Sequence, residues 1–95
     1  MYAVEYIHSQ QFAHMDLKLN NIMLDEYFNI RIGDFGSCLK VDQKGLTSKK
    51  RGTQNYMAPE LKDLKSSSKS QFNAYKADVY SLGVCLFVLL YKQFP

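Results

Sequence analysis

The chain has 95 residues, 46% hydrophobic and 14% aromatic, with two cysteines and a formal net charge of +3. This length allows one small domain or a piece of a larger one, and the apolar share argues against a disordered chain. The charge is too small to point to nucleic acid; Cys38 and Cys85 lack metal or disulfide-framework spacing and read as reduced thiols, which suits an intracellular, cytoplasmic protein.

Residues 1–10 read as a helix: Ala3, Val4 and Ile7 share a face with Tyr6 beside them, while Glu5 and Ser9 turn away. Glu5, His8 and Gln10 interrupt any leader-like apolar run, so no secretory signal is expected. The pattern begins with no capping residue ahead of it, as in a chain cut into an existing element. Phe12-Ala13 leads into the loop His14-Met15-Asp16-Leu17-Lys18-Leu19-Asn20-Asn21. Ile22-Met23-Leu24 and Ile30-Arg31-Ile32 are β-type runs whose connection suits a hairpin. That hairpin would set Asn21 at the start of one strand and Asp34 just past the end of the other, facing the same cation. Gly33 and Gly36 flank Asp34-Phe35 and permit unusual backbone angles there.

Residues 39–52 carry Lys40, Lys44, Lys49, Lys50 and Arg51 with little apolar periodicity, and read as a mobile, solvated loop. The basic cluster Lys49, Lys50 and Arg51 reads as a solvated face; a nucleic-acid binder has only that cluster behind it and is set aside. Pro59 favours a helix start, with a short helical turn over 60–64. Residues 66–70 are a low-complexity polar run. The last element, about 75 to 91, is apolar nearly all round and is predicted to be central to a core. Gly83 inside it costs about 1 kcal/mol relative to Ala and predicts close approach by a neighbour. Its most apolar part, 79–91, spans about 20 Å as a helix, short of a ~30 Å hydrocarbon core, so a buried helix is expected rather than a membrane span.

The chemistry gathers in the loop after Ala13. Asp16 could accept a proton or aim a hydroxyl, Lys18 could hold a phosphate as a point charge, and Asn21 offers an amide oxygen suited to a hard cation such as Mg²⁺. Taken singly, Asp16 is a turn carboxylate, Asn21 a strand cap and Asp34 a turn residue beside glycine. Their order and spacing together outweigh those plain readings.

Tyr6-Ile7-His8, the loop around Asp16, Asn21-Ile22-Met23-Leu24, Gly33-Asp34-Phe35-Gly36, Gly52-Thr53, Tyr56-Met57-Ala58-Pro59-Glu60 and Asp78-Val79-Tyr80-Ser81-Leu82-Gly83-Val84 resemble the large lobe of eukaryotic-type protein kinases over nearly the whole chain. Lys18 with Gly52-Thr53 resembles the Ser/Thr-specific pattern, and within it the calcium/calmodulin-dependent and AMP-activated-like kinases. The resemblance implies an α+β, mainly helical fold: a partial large (C-terminal) lobe with a short β-hairpin next to the catalytic loop. Residues 1–95 would form a partial kinase domain from the catalytic loop to the central large-lobe helix, without the small lobe and the terminal helices. It implies ATP and Mg²⁺, transfer of the γ-phosphate to protein Ser/Thr hydroxyls, and a regulatory subunit or domain outside this chain. In that scheme Asp16 orients the acceptor hydroxyl and takes its proton, and Lys18 steadies the phosphoryl group. Thr53 bridges Asp16 and Lys18, Asn21 and Asp34 hold the metal, and Met23 lies beneath the adenine ring. Asp78 anchors the catalytic-loop backbone, and His14 and Phe35 stack in the hydrophobic spine.

Two departures qualify the resemblance. Met15 stands where the family usually has an Arg that receives the phosphate of the activation segment, so a phosphate on Thr47 or Ser48 would lack its bidentate partner. Activity is therefore expected not to need phosphorylation there; the opposing reading is that Lys49, Lys50 or Arg51 supplies a substitute cation. The chain also has no Gly-rich phosphate loop and no strand Lys paired with a helix Glu. Half a cleft cannot exclude water, so these residues alone are expected to be inactive. The alternative is a non-catalytic partial lobe serving as an interaction module or an inactive gene product.

Overall fold

The structure, a computed structural model, describes residues 2–62 and 70–95. The predicted helix end at 63–64 and most of the polar run at 66–70 lie outside the described residues.

Helix α1 (Tyr2–Ser9) buries Val4, while Glu5 and Ser9 are exposed. Tyr6 does not join that face: it is 67% exposed, because two positions on from Val4 is about 200° round the helix. The chain leaves α1 through Gln11, whose φ of 63° turns it. Among the described residues the short strands are β1 (Phe12–Ala13), β2 (Ile22–Leu24), β3 (Ile30–Ile32), β4 (Leu39–Lys40), β5 (Leu46–Thr47) and β6 (Phe72–Asn73). They pair antiparallel as β1 with β4, β2 with β3 and β5 with β6.

The predicted β2–β3 hairpin forms, with Ile22 opposite Ile32 and Leu24 opposite Ile30. Asp25 organises its turn, accepting the backbone N–H of Tyr27 at 2.8 Å and of Asn29 at 2.9 Å, a role its short carboxylate favours. The 39–52 segment is not the free loop expected. Strands β4 and β5 stitch it to β1 and β6, and Leu39 and Val41 are buried. The apolar alternation at 39 and 41 is too short to stand out among five cations.

The larger core cluster joins Ala13, Met15, Leu39, Val41, Met57, Ala58, Leu61, Phe72, Ala74 and Ala77. It draws the loop at Ala13 and Met15, the 39–61 segment and the last helix onto one centre. Helix α2 (Pro59–Lys62) starts at Pro59 and buries Leu61. A smaller cluster sets Tyr56 against Val84 and Cys85.

Helix α3 (Ala74–Tyr91) is capped by Asn73, whose side chain accepts from Lys76 N at 3.1 Å. The expectation that it is buried all round fails. Val79, Leu86, Leu89, Leu90 and Tyr91 are 58–67% exposed, because the packed elements among the described residues meet one side of it. Among the described residues nothing lies within 4 Å of a Cβ placed at Gly83, so the close approach predicted there is not found among them. At 18 residues, or about 27 Å, α3 is long and apolar enough to cross a bilayer by length and composition alone, so shortness no longer separates it from a span. Its Asp78, however, is 1% exposed and bound to the loop described next.

Candidate active site

Asp78 is where the site is fastened. Its Oδ2 accepts from His14 N at 2.8 Å and its Oδ1 from Met15 N at 2.9 Å. A third donor, His8 Nε2, lies 2.8 Å from Oδ2. A buried carboxylate is tolerated when its oxygens are bonded in this way. Among the described residues no buried side-chain N or O lacks a partner.

His14, fully buried, joins two segments. Its Nε2 lies 2.9 Å from Gly33 O, and its Nδ1 accepts from Asp16 N at 3.1 Å. Only the neutral Nε2–H tautomer satisfies both contacts. Phe35 meets His14 edge-on, with ring centroids 5.2 Å apart at 62°, rather than stacked as expected. The residues before and after the hairpin are thus locked at a fixed spacing.

Asp16, Lys18 and Thr53 come together as predicted. The Thr53 hydroxyl donates to Asp16 Oδ1 at 2.6 Å and accepts from Lys18 Nζ at 3.1 Å, with Lys18 Nζ 3.8 Å from Asp16 Oδ2. Thr53 reaches so far back because Gly52, at φ +119°, lies against the Met15 carbonyl; a Cβ there would be 2.6 Å from that oxygen. Met15 itself has φ 70° and is 5% exposed. The group presents a carboxylate oxygen beside an ammonium, a pairing able to take a proton from a hydroxyl while offsetting negative charge.

Asn21 and Asp34 are brought near each other through the backbone, since Gly33 N donates to Asn21 O at 2.8 Å. The Asn21 amide nitrogen donates to Asp16 O at 2.7 Å, which turns its amide oxygen the other way. Asp34, at φ 53°, uses Oδ1 to accept from Gly36 N at 3.3 Å. Among the described residues no group of three or more His, Cys, Asp or Glu could hold a metal. One carboxylate and one amide oxygen are instead a partial, hard donor set. They fit Mg²⁺, which keeps waters and is completed by phosphate oxygens rather than by a protein cage. Met23 is 52% exposed, its methyl lying over Gly33.

Reasoning from sequence gave His8, Tyr75 and Gly52 no individual task at this site. His8 stands four residues after Val4, on the same inner face of α1, which was the available signal. Both cysteines are free. Burial pushes both thiols up, and the charge of Asp78 adds to this at Cys38.

The protein kinase domain family matches residues 1–95. CBL-interacting serine/threonine-protein kinase 15 of Arabidopsis thaliana is 43% identical over 96 residues, covering 98% of this chain and 22% of that protein. The serine/threonine-protein kinase Genghis Khan of Drosophila melanogaster is 35% identical over 95 residues, with 98% and 6% covered. Human serine/threonine-protein kinase MRCK alpha is 36% identical over 95 residues, with 98% and 5% covered. The chain thus spans between 5% and 22% of the length of these curated relatives. These relatives are Ser/Thr protein kinases, and on the family match over its whole length the chain belongs to the protein kinase domain family.

Proposed function

We propose that residues 1–95 are the part of a kinase large lobe that runs from the catalytic loop to the central helix α3, and that they form the floor of an ATP-dependent Ser/Thr protein kinase site. The contact of Thr53 with both Asp16 and Lys18 carries this reading. Asp16 Oδ2, the oxygen not bonded to Thr53, receives the hydroxyl of a protein Ser or Thr and takes its proton as the new O–P bond forms and the bond from the γ-phosphorus to the departing ADP oxygen breaks. Lys18, held by Thr53, presents its charge to the oxygens of the phosphoryl group in transfer. Asp78 keeps the loop backbone still, so that this geometry needs no rearrangement when the substrate arrives. Asn21 and Asp34 would hold Mg²⁺, and Met23 would meet the adenine. When bound, the cation would offset the negative charge of the phosphates. An intracellular setting belongs to the proposal and is supported by the two free thiols.

The test is phosphate transfer from labelled ATP to a general protein substrate by the full-length protein carrying these residues. Transfer that disappears in Asp16→Asn supports the reading. A wild-type protein that transfers nothing, or an Asp16→Asn protein that still transfers, overturns it in favour of a non-catalytic interaction lobe. Residues 1–95 alone should give negligible heat in a calorimetric Mg-ATP titration; micromolar binding would contradict their assignment as a floor without a roof.

A further inference from the structure

We propose that Tyr75 is a positioning residue that ties the 42–47 segment to the catalytic loop, acting through His8 and Asp78. Its catalytic consequence rests on the kinase reading above; the mechanical coupling does not.

Tyr75 and Asp78 stand at i and i+3 on α3 and so share a face. His8 of α1 covers both. Its ring centroid is 4.6 Å from that of Tyr75 at 43°, and its Nε2 is 2.8 Å from Asp78 Oδ2. That same oxygen accepts from His14 N. On its other side, Tyr75 grips the segment. Its hydroxyl donates to Asp42 O at 3.0 Å, and its ring presses on Gly45 so closely that a Cβ there would lie 2.5 Å from Cδ2. Gly45, at φ +73°, closes its turn by donating to Asp42 O at 3.0 Å, and its own carbonyl accepts from Ala74 N at 2.7 Å. Asn73 Nδ2 adds a bond to Lys44 O at 3.1 Å.

One ring therefore touches the turn at 42–45 and the imidazole that orients the Asp78 carboxylate. A plain core filler would need only the ring, yet the hydroxyl is used on a backbone carbonyl of the segment. A shift at the turn is therefore passed through Tyr75 and His8 to Asp78, and from it to the backbone of His14 and Met15.

Amide hydrogen exchange and steady-state kinetics on the full-length protein test this. Tyr75→Ala should speed exchange of the Gly45 and Ala74 amides, and with them the His14 and Met15 amides, by about ten-fold or more. It should lower kcat about ten-fold with KM for ATP held within about two-fold, since misplacement rather than binding is at fault. Tyr75→Phe keeps the ring on His8, and should loosen Gly45 while leaving His14 and Met15 within about two-fold. Gly45→Ala, a change on the segment side alone, should also speed the His14 and Met15 amides, because coupling is reciprocal; it decides the matter if Tyr75→Ala does not fold. Loosening of Gly45 in either Tyr75→Ala or Gly45→Ala without any change at His14 and Met15 overturns the coupling. A wild-type protein without phosphate transfer sinks the kinase reading but leaves the exchange result standing.

Discussion

The Thr53 hydroxyl lies 2.6 Å from Asp16 Oδ1, across 37 positions of sequence. The contact leaves one Asp16 oxygen for a substrate and fixes the carboxylate plane, while the Thr53 oxygen accepts from Lys18. Asp16→Asn should lower kcat of the full-length protein about 10²–10⁴-fold with little change in KM. Thr53→Val, which removes both bonds, should cost about ten-fold in kcat, and Thr53→Ser should stay near wild type. Steady-state phosphate-transfer rates check all three; a fully active Thr53→Val would remove Thr53 from the mechanism.

Asp78 accepts from two backbone amides and one imidazole while 1% exposed. Asp78→Ala strands buried donors and should destabilise the full-length protein by about 2–5 kcal/mol. Asp78→Asn keeps the volume but turns an N–H toward a donor, at about 1–3 kcal/mol. Urea unfolding measures both, and equal stability of wild type and Asp78→Ala would contradict this account.

Two glycines should respond in opposite directions. Gly52→Ala meets the Met15 carbonyl at 2.6 Å with φ +119°, and neither atom can yield easily; it should cost about 2–3 kcal/mol and lower activity by displacing Thr53. Gly83→Ala meets nothing within 4 Å among the described residues and should add about 1 kcal/mol of helix stability. Thermal melts should move apart, downward for the first and upward for the second.

Met15 is 5% exposed within the larger core cluster, an apolar position with no cation to offer a phosphate. Activity of the full-length protein in Thr47→Ala/Ser48→Ala should stay within about two-fold of wild type. Loss of activity in that variant would show that Lys49, Lys50 or Arg51 takes the part of the missing Arg.

Asp25 is held below the usual carboxylate range, chiefly by the Asn29 backbone N–H and then by Tyr27, the Asn29 side chain and Arg31, against an opposing effect of desolvation. A depressed folded-state value means the carboxylate's support for the hairpin is present above the unfolded carboxylate range and is lost as pH falls through the folded value. Protection factors of the Tyr27 and Asn29 amides, which take out the intrinsic slowing of exchange in acid, should therefore fall on acidification through that window, and Asp25→Asn should flatten that fall.

Much of the site was legible because its residues come as short, ordered clusters. Asp16, Lys18 and Asn21 stand within one loop, and the hairpin that sets Asn21 and Asp34 near each other follows from two β-type runs and a turn. The errors fell where burial depends on what lies opposite. Val79, Leu86 and Leu89 read as core by hydropathy, yet exposure is decided by neighbours. Leu39 and Val41 read as loop among lysines, yet the pairing of Leu39 with Ala13, the bond of Val41 N to Gln11 O and the core cluster they share with Met57 and Phe72 bury them.

Sequence by itself determined the chemical inventory and its order: carboxylate, ammonium, amide, a second carboxylate, and a hydroxyl after glycine. Those are properties of residue type and local spacing, which need no partner to be read. The kinase resemblance implied that Asp78 holds the loop and that Thr53 bridges Asp16 and Lys18; tertiary structure supplied the bonds that do so, and alone decided that Tyr75 touches both His8 and the turn at Gly45. Each of these joins groups far apart in the chain through a directional contact a few ångströms long, and hydrophobic periodicity holds no information at that range or that precision.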